Sequence, residues 1–207
     1  HSRGRASPSR VQIGSGPFGP SPRRRSGVFA SPFLEGDRVL LTPLQPSDGL
    51  WLQSIWNDAE TTKWMVAGRT PISREEMDQL IAGWQPPAAF AFGLSPAKER
   101  ATRVGYAGLF GVDWLDRKAE LRIMIVPKAQ GLGIGTQATQ LLLRFGFSRL
   151  NLNRIWLGTA ATNEPALTCF SRCGFREEGR LLEDLWRDGA YIDNIRMAVL
   201  QQDFKEK

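Results

Sequence analysis

The sequence contains one histidine and two cysteines, and these shortages exclude several kinds of site. The histidine is His1, so the rest of the chain offers no histidine for a general base, a Ser-His-Asp triad or a Cys/His zinc site. Cys169 and Cys173 are four residues apart, a spacing that places both on one face of a helix. We interpret them as core-facing thiols rather than a disulfide framework, in keeping with a reducing cytoplasm.

Long apolar runs and early acidic residues are also absent. No run approaches the roughly 18 apolar residues of a membrane-spanning helix, so no membrane partner is expected. No acidic residue precedes Glu35, and six arginines before it account for the whole excess of 27 basic over 21 acidic side chains. Half of residues 1–34 are Gly, Pro or Ser, which predicts a disordered tail ahead of a domain of residues 35–207.

The basic tail has two interpretations. An arginine-rich arm is typical of nucleic-acid or ribosome binding, and this tail alone suggests such a partner. The alternative is a leftover of how the start of the gene or of the expressed chain was chosen. The first residue, which is His rather than Met, favours that alternative. The remaining 173 residues carry balanced charge and are sufficient for one well-buried core.

Hydrophobic periodicity and turn residues predict alternating strands and helices. Ser47 is a candidate N-cap, and Ser73 with Glu76 forms a capping-box pattern. Asp188-Gly189 is a hairpin signal, and Gly174 is typical of a helix end. The predicted strands are 39–42, 90–94, 104–112, 119–126, 154–160, 180–186 and 191–200, and the main predicted helices follow Ser47 and Ser73 and span 135–149 and 164–173. This order predicts an α/β fold with a mixed sheet and helices on both faces.

The most informative motif is QGLGIGT, residues 130–136, between a predicted strand and a predicted helix. Alternate glycines expose backbone N–H groups where the helix begins, an arrangement that suits an anion. The motif lacks the Gly-Lys-Ser/Thr of a Walker loop. Its G-x-G-x-G spacing, well past the middle of the chain, also differs from a dinucleotide-binding fingerprint.

The motif and its neighbours resemble the Gcn5-related N-acetyltransferase (GNAT) superfamily. The motif matches the Q-x-x-G-x-G pyrophosphate loop of that family, and the similarity is almost continuous over residues 119–200. The segment LTPLQPSD at residues 41–48 resembles the family's first strand and turn. Within the family, the sequence is most similar to Rim-type ribosomal-protein N-acetyltransferases and related polyamine and antibiotic acetyltransferases.

The resemblance implies a GNAT fold with a mostly antiparallel sheet of about six to seven strands, splayed at the cofactor site. It also implies transfer of an acetyl group from acetyl-CoA to an amine by direct attack on the thioester. The residues it assigns to cofactor binding are Met124, Ile125 and Val126 through their backbone, the loop residues Gln130, Gly131, Leu132, Gly133, Ile134, Gly135 and Thr136, and also Asn163 and Phe170.

A carboxylate is the expected general base because the chain has no internal histidine. Alternation along a strand places Glu120, Arg122 and Met124 on one face, and the Rim-type pattern places an acidic residue at position 120 near the substrate amine. We therefore predict Glu120 as the catalytic base. The alternative is a Glu120–Arg122 surface pair or a paired structural carboxylate, and Asp113 and Asp116 are interpreted as turn formers.

Two positions qualify the catalytic prediction. Asn163 is predicted to act at the active site and against the cofactor, and it also fits a helix N-cap. Many relatives carry a Tyr that protonates the leaving thiolate, and counting back from Cys173-Gly174-Phe175 places Phe170 at that position. Phenylalanine cannot donate a proton, which leaves a non-catalytic acyl-CoA-binding module as an alternative function.

The acceptor is an amine of undetermined type: a protein N-terminus, a polyamine or an aminoglycoside. Trp64, Trp186 and Tyr191 are predicted to line the acceptor pocket, with a role in the core as the alternative. A homodimer is possible, and the cytoplasm is the expected location.

Overall fold

The computed structural model describes residues 31–66 and 70–205. It contains an eight-stranded sheet in the order β1-β2-β3-β4-β5-β6-β8-β7. The strands are β1 Leu34–Glu35, β2 Val39–Pro43, β3 Ala89–Pro96, β4 Gly105–Asp113, β5 Lys118–Ile125, β6 Arg154–Ala160, β7 Arg176–Arg187 and β8 Ala190–Leu200. The helices are α1 Gly49–Trp56, α2 Ala59–Thr62, α3 Arg74–Gly83, α4 Ile134–Arg144 and α5 Glu164–Arg172.

The sheet confirms the predicted mixed, mostly antiparallel fold. Parallel pairing joins only β5 and β6, and the other neighbours are antiparallel. The seven predicted strands are present, and the two-residue β1 is the eighth. Such a short strand carries too little alternation to be recognised from sequence.

The folded part begins before the predicted boundary at residue 35. The backbone N–H of Phe33 donates to the carbonyl of Leu41 (2.8 Å), and Leu34 is already part of β1. The Phe33 ring stacks on Phe92 and meets Phe145 edge to face, with centroid distances of 5.8 and 5.5 Å. The predicted boundary between tail and domain therefore falls inside β1. Residues 1–30 of the predicted tail lie outside the described residues.

One of the two predicted helix N-caps is present in the structure, and the other is not. The Ser73 hydroxyl accepts from the N–H of Glu76 (3.2 Å), and the Glu76 carboxylate accepts from the N–H of Ser73 (2.7 Å), so the predicted capping box is confirmed. The prediction for Ser47 is wrong. Asp48 instead accepts from the N–H of Gln45 (2.8 Å) across a 3₁₀ turn, and α1 begins at Gly49.

Side-chain alternation divides the core into two clusters, one on each face of the sheet. Leu121 of β5 belongs to the larger cluster beneath α4, together with Leu142 and Ile155. Met124 belongs to a second, aromatic-rich cluster with Tyr106 and Trp84, covered by α1 and α3. Two-residue periodicity therefore assigns each β5 side chain to one face, as predicted.

The predicted turns near the C-terminus are present. Asp188 and Gly189 both have positive φ (46° and 88°), as a tight hairpin between β7 and β8 requires. Gly174 follows α5 with φ of 98°, the left-handed conformation that ends many helices. Among the described residues, no helix is long and apolar enough to cross a membrane.

The packing of Phe33 predicts that residues before 35 stabilise the domain. Phe33 is 45% exposed, so Phe33→Ala is expected to lower the free energy of unfolding by about 1–2 kcal/mol, less than a fully buried Phe would cost. Urea unfolding of the full chain measures this change. Leu115→Ala is the control because Leu115 is 93% exposed, and equal effects of the two substitutions would contradict the packing role.

Candidate functional site

A gap opens in the sheet between β5 and β6. The two strands pair at Lys118 with Arg154, Ala119 with Ile155 and Glu120 with Trp156, and the recorded pairing ends there. Beyond Glu120, β5 remains paired with β4 on its other side, and β6 remains paired with β8. The resulting cleft has one paired strand as each wall, which confirms the splayed sheet predicted from the resemblance.

The backbone of Met124, Ile125 and Val126 lies at the loop end of this gap. The Val126 N–H donates to the Val104 carbonyl (2.9 Å), on the side away from β6. The Ile125 carbonyl accepts from the side-chain amide of Gln130 (2.9 Å). Part of the predicted cofactor-binding backbone is therefore already hydrogen-bonded within the protein, and cofactor contacts at these three residues stay a prediction.

The glycine motif forms a loop that ends as α4 begins. Gly131 and Gly133 have φ of 75° and 78°, a conformation that glycine adopts without steric cost, and Gly133 is the N-cap of α4. Gly135 is needed for a different reason, since a Cβ there would lie 3.2 Å from Cδ1 of Ile125. Among the described residues, none of the backbone N–H groups of residues 131–136 has a hydrogen-bond acceptor.

Contacts from the turn between β1 and β2 support the loop. The Gln137 side-chain oxygen accepts from the N–H groups of Arg38 (2.7 Å) and Val39 (3.1 Å). The Arg38 guanidinium donates to the Leu132 carbonyl (3.4 Å) and lies against Gly133. Sequence reasoning missed Arg38 and Gln137, because no local pattern shows that a turn 94 residues away in sequence contacts the loop.

Glu120 lies on the face of the sheet that α1 and α3 cover. Its Oε2 accepts from Nε (2.9 Å) and Nη2 (2.5 Å) of Arg122, whose guanidinium also lies 5.1 Å from the Phe110 ring centroid. Among the described residues, Oε1 has no recorded partner, and 22% of the Glu120 side chain is exposed. The predicted pair with Arg122 is therefore present and occupies one oxygen of Glu120, Oε2. The catalytic role of Glu120 stays a prediction.

Asn163 and Phe170 are placed by α5. Asn163 is the N-cap of that helix, and its Oδ1 accepts from the N–H of Ala166 (3.4 Å). Phe170 is buried and contacts Phe175 edge to face at 5.8 Å. The capping role of Asn163 is therefore present, and cofactor contacts at both residues remain predictions.

The predicted pocket residues do not all share a face with Glu120. Alternation along β8 places Tyr191 with Ile195 and Met197, whereas Glu120 is on the opposite face. Trp186 pairs with Tyr191, and their ring centroids are 4.8 Å apart. Trp64 follows α2, and the neighbouring Met65 carbonyl accepts from Arg187 of the hairpin. The structure thus connects the loop after α2 with the hairpin but does not bring the three aromatic residues together.

The fold and the loop define an α/β protein with unpaired backbone N–H groups at a helix N-terminus beside a split sheet. The model of the family described as Acetyltransferase (GNAT) domain matches residues 38–176, more than half of the chain. The chain belongs to the GNAT acetyltransferase family.

Two relatives with named functions are similar to the chain over different lengths. A spermidine N(1)-acetyltransferase of Vibrio cholerae serotype O1 is 36% identical over 101 residues, 49% of this chain and 58% of the relative. The chain thus matches little more than half the length of that protein. A putative ribosomal N-acetyltransferase of Bacillus subtilis, YdaF, is 27% identical over 82% of this chain and 94% of the relative.

A solved structure extends the similarity to the whole fold. The crystal structure of the Vibrio cholerae spermidine N-acetyltransferase in complex with CoA and spermine superposes with a TM-score of 0.74 at 27% identity. The superposition covers 81% of this chain and 98% of that one.

The two cysteines differ in environment, which corrects the expectation that both face the core. Cys173 is buried, but Cys169 is only partly buried and lies 3.3 Å from the Thr136 hydroxyl in the first turn of α4. The hydrogen bond from Cys173, the contact with Thr136 and the positive charge of Arg172 lower the pKa of Cys169 to about 6, against the opposing effect of burial.

This pKa predicts the pH dependence of Cys169 alkylation. The thiolate is the reactive form, so the rate with iodoacetamide is expected to be nearly constant above pH 7 and to fall about tenfold per unit below pH 6. Mass spectrometry of the modified peptide measures the rate, and Cys173 in the same peptide is the buried comparison. A rate that keeps rising through pH 8–9, as for an ordinary thiol, would contradict the assignment.

Proposed function

We propose that the protein is an acetyl-CoA-dependent N-acetyltransferase that acetylates a primary amine by direct attack on the thioester. The observation that carries the proposal is the row of unpaired N–H groups at residues 131–136, beside the gap between β5 and β6, in a chain of the GNAT family. Relatives named as spermidine N-acetyltransferases, and a neighbour solved with CoA and spermine, support this activity.

The loop fits the pyrophosphate of coenzyme A. Its free N–H groups are donors for phosphate oxygens, and the helix N-terminus adds about 0.3–2 kcal/mol for a nearby anion. The loop contains no acidic residue, and Lys128 and Arg38 are basic residues within or beside the turns that flank it. Acetyl-CoA, when bound, supplies an activated acetyl thioester.

The gap fits the extended arm that joins the phosphates to the thioester. Beyond Glu120, the β5 edge has backbone groups without strand partners on the side of β6, and such groups form hydrogen bonds readily with an amide-containing ligand. Burial of Ile134 and Ile125 against the core fixes the position of the loop relative to this edge. The loop and the gap thus hold the two ends of one ligand.

The acceptor amine must be neutral to attack. A polyamine or lysine-like amine with a pKa near 10.4 costs about 4.6 kcal/mol to deprotonate at pH 7, and an α-amine with a pKa near 8 costs about 1.4 kcal/mol. Glu120 is the proposed base, acting directly or through water, because its Oε1 is not engaged by Arg122. A base at this position matters more for a polyamine than for a protein N-terminus.

The functions of the relatives suggest which acceptors to test first. Spermidine and spermine come first, because a relative is a spermidine N-acetyltransferase and a structural neighbour was solved with spermine. A protein N-terminus comes second, through the ribosomal N-acetyltransferase relative and the Rim-type resemblance. Release of free CoA from acetyl-CoA in the presence of each amine is the direct test.

One observation favours a second candidate function, a non-catalytic acyl-CoA-binding module. Phe170 is buried against Phe175 and has no proton to donate to a leaving thiolate. A CoA thiolate with a thiol-like pKa near 8.5 is an adequate leaving group without an acid, so catalysis remains our first proposal. Tight CoA binding without turnover of any amine would favour the module.

A covalent acetyl-cysteine route is not part of the proposal. Cys169 lies against Thr136 and would be 3.9 Å from a Cβ on Gly135, at the phosphate end of the proposed site. The thioester would lie toward the other end, within the gap. Direct transfer to the amine therefore requires fewer movements of the protein.

The loop assignment predicts that Gly133→Asp weakens CoA binding. The aspartate would add strain at φ of 78° and negative charge beside the phosphates, so we expect the Kd for CoA, measured by calorimetry, to rise at least tenfold. Gly111→Asp is the matched control, because Gly111 also has positive φ (55°) but lies in β4 away from the loop. Unchanged affinity in the Gly133 variant would overturn the assignment.

The base assignment predicts the kinetics of Glu120→Gln. We expect kcat/KM for spermidine to fall about tenfold to a hundredfold at pH 7, and further at lower pH, where more of the amine is protonated. The Kd for CoA should stay nearly unchanged. Arg122→Met removes the ion pair but keeps the carboxylate, so equal losses in the two variants would show that the pair, not the base, matters.

A further inference from the structure

The side chain of Asn194 is fully buried and only half of its carboxamide is hydrogen-bonded. Asn194 has a relative exposure of 0%, and its Nδ2 donates to Oδ2 of Asp184 (2.8 Å). Its Oδ1 is buried and accepts no hydrogen bond among the described residues. Burying an amide oxygen without a donor costs roughly 1–3 kcal/mol, so this arrangement calls for an explanation.

The amide oxygen lies against β6, the strand whose other edge borders the gap. Asn194 pairs with Ala160 of β6, and its Oδ1 is 3.0 Å from the position that a Cβ on Gly158 would occupy. Gly158 is two residues past Trp156, the last β6 residue paired with β5. The glycine therefore leaves room for the Asn194 amide next to the part of β6 that borders the gap.

Alternation places this amide on the same face as the proposed base. Trp156 pairs with Glu120 on one side and with Ala198 on the other, and Ala198 and Asn194 point to the same side of β8. The Arg196 guanidinium, between them on that face, lies 4.8 Å from the Trp156 ring centroid. Asn194 and Glu120 thus share the face opposite to α4.

The loop after α2 reaches the same face farther along the hairpin. Arg187 pairs with Ala190, and Ala190 lies on the same face of β8 as Asn194. Arg187 also donates a hydrogen bond to the Met65 carbonyl. The half-buried Arg196 of β8 lies beside the amide, next to Gly158 of β6. The amide therefore lies on the face of β6 and β8 that the loop after α2 also contacts.

The chemistry of this position favours a cationic or neutral nitrogen donor. An unpaired amide oxygen accepts N–H or O–H groups and offers nothing to an anion. Asp184 holds Nδ2, which fixes the amide orientation and adds negative potential behind it. Glu120 adds a second carboxylate on the same face. The Arg196 guanidinium also lies beside the amide, so the N–H donors of a primary amine, rather than its charge, fit this position.

We infer that Asn194 binds the acceptor, with its Oδ1 accepting a hydrogen bond from an acceptor nitrogen other than the one that attacks the thioester, since Asn194 lies four residues along the strands from Glu120, and with Asp184 holding the carboxamide in the required orientation. This inference rests on the proposed N-acetyltransferase function and adds a residue for the acceptor to it. Asn194 is a binding residue, and Asp184, which acts through it, is a positioning residue.

Steady-state kinetics of the full chain with spermidine at saturating acetyl-CoA test the inference. We expect Asn194→Leu to raise the KM for spermidine about tenfold or more, to change kcat less, and to leave the Kd for CoA unchanged. Thr139→Val is the matched control, because Thr139 also has a buried, unpartnered side-chain oxygen, but it lies in α4 on the other side of the sheet. Its KM should equal that of the unmodified chain.

Asp184→Asn tests the positioning role of Asp184. It is also a second variant that can be measured if Asn194→Leu does not fold. Asp184 is exposed, so this substitution is compatible with the fold; the neutral amide is a weaker acceptor than the carboxylate and can turn its own NH2 group toward Nδ2, so it fixes the Asn194 amide less firmly. We expect the KM for spermidine to rise severalfold, less than in Asn194→Leu. Thermal unfolding checks that each variant is folded. If Asn194→Leu is not folded, the KM of Asp184→Asn for spermidine tests the inference.

The possible failures are distinguishable. If the unmodified chain acetylates spermidine and neither variant changes KM beyond Thr139→Val, the Asn194 assignment is overturned while the proposed function stands. If the unmodified chain binds CoA but turns over neither spermidine nor an N-terminal peptide, the proposed function fails, and the inference fails with it. A loss of CoA affinity in Asn194→Leu would assign the residue to the cofactor instead.

Discussion

The end of pairing between β5 and β6 is the constraint on which the rest of the site depends. Three residues of each strand pair, and then the strands separate although both remain in the same sheet. Unpaired strand edges inside a sheet are costly because backbone groups need hydrogen-bond partners. The separation persists because β4 and β8 hold β5 and β6 along their other edges, with seven paired residues in each case.

The separation also determines what surrounds it. On one face, α4 and α5 pack over the strands, and the loop before α4 delivers unpaired N–H groups to the end of the gap. On the other face, Glu120 lies on β5, one wall of the gap, and Asn194 lies on β8, behind the β6 wall. A ligand lying in the gap would meet unpaired N–H groups at one end and a carboxylate oxygen on one face. This polarity suits a cofactor with phosphates at one end and an amine as the reaction partner.

Sequence reasoning recovered the features that repeat or that follow local rules. Alternation assigned Glu120 and Met124 to one face, the capping box at Ser73 is present, and Asp188-Gly189 forms the hairpin. The glycine spacing located the loop, since positive φ at Gly131 and Gly133 is a local property of the chain. The prediction of Ser47 as an N-cap is wrong because Asp48, one residue later, makes the side-chain hydrogen bond of that turn.

The features that sequence reasoning missed depend on contacts between distant segments. Arg38 meets the loop only because β2 lies beside α4, and Cys169 contacts Thr136 only because α5 packs against the first turn of α4. Asn194 reads as an ordinary strand residue, and nothing local shows that Asp184 occupies its Nδ2 while Gly158 makes room for its Oδ1. Its environment follows from strand register, which a single sequence specifies only weakly for polar residues.

An energetic argument connects the unsatisfied groups at the loop and at Asn194. The free N–H groups of residues 131–136 and the free Oδ1 of Asn194 each forgo hydrogen bonds that folding alone would favour. Other hydrogen bonds hold both groups in position. Gln130 and Gln137 make them at the loop, and Asp184 makes one to the Asn194 amide. Fixing a group by one atom while leaving its other atom unpaired lowers the cost of ordering it when a ligand binds. The unpaired groups at the loop and at Asn194 are therefore already held in position for the proposed cofactor and acceptor.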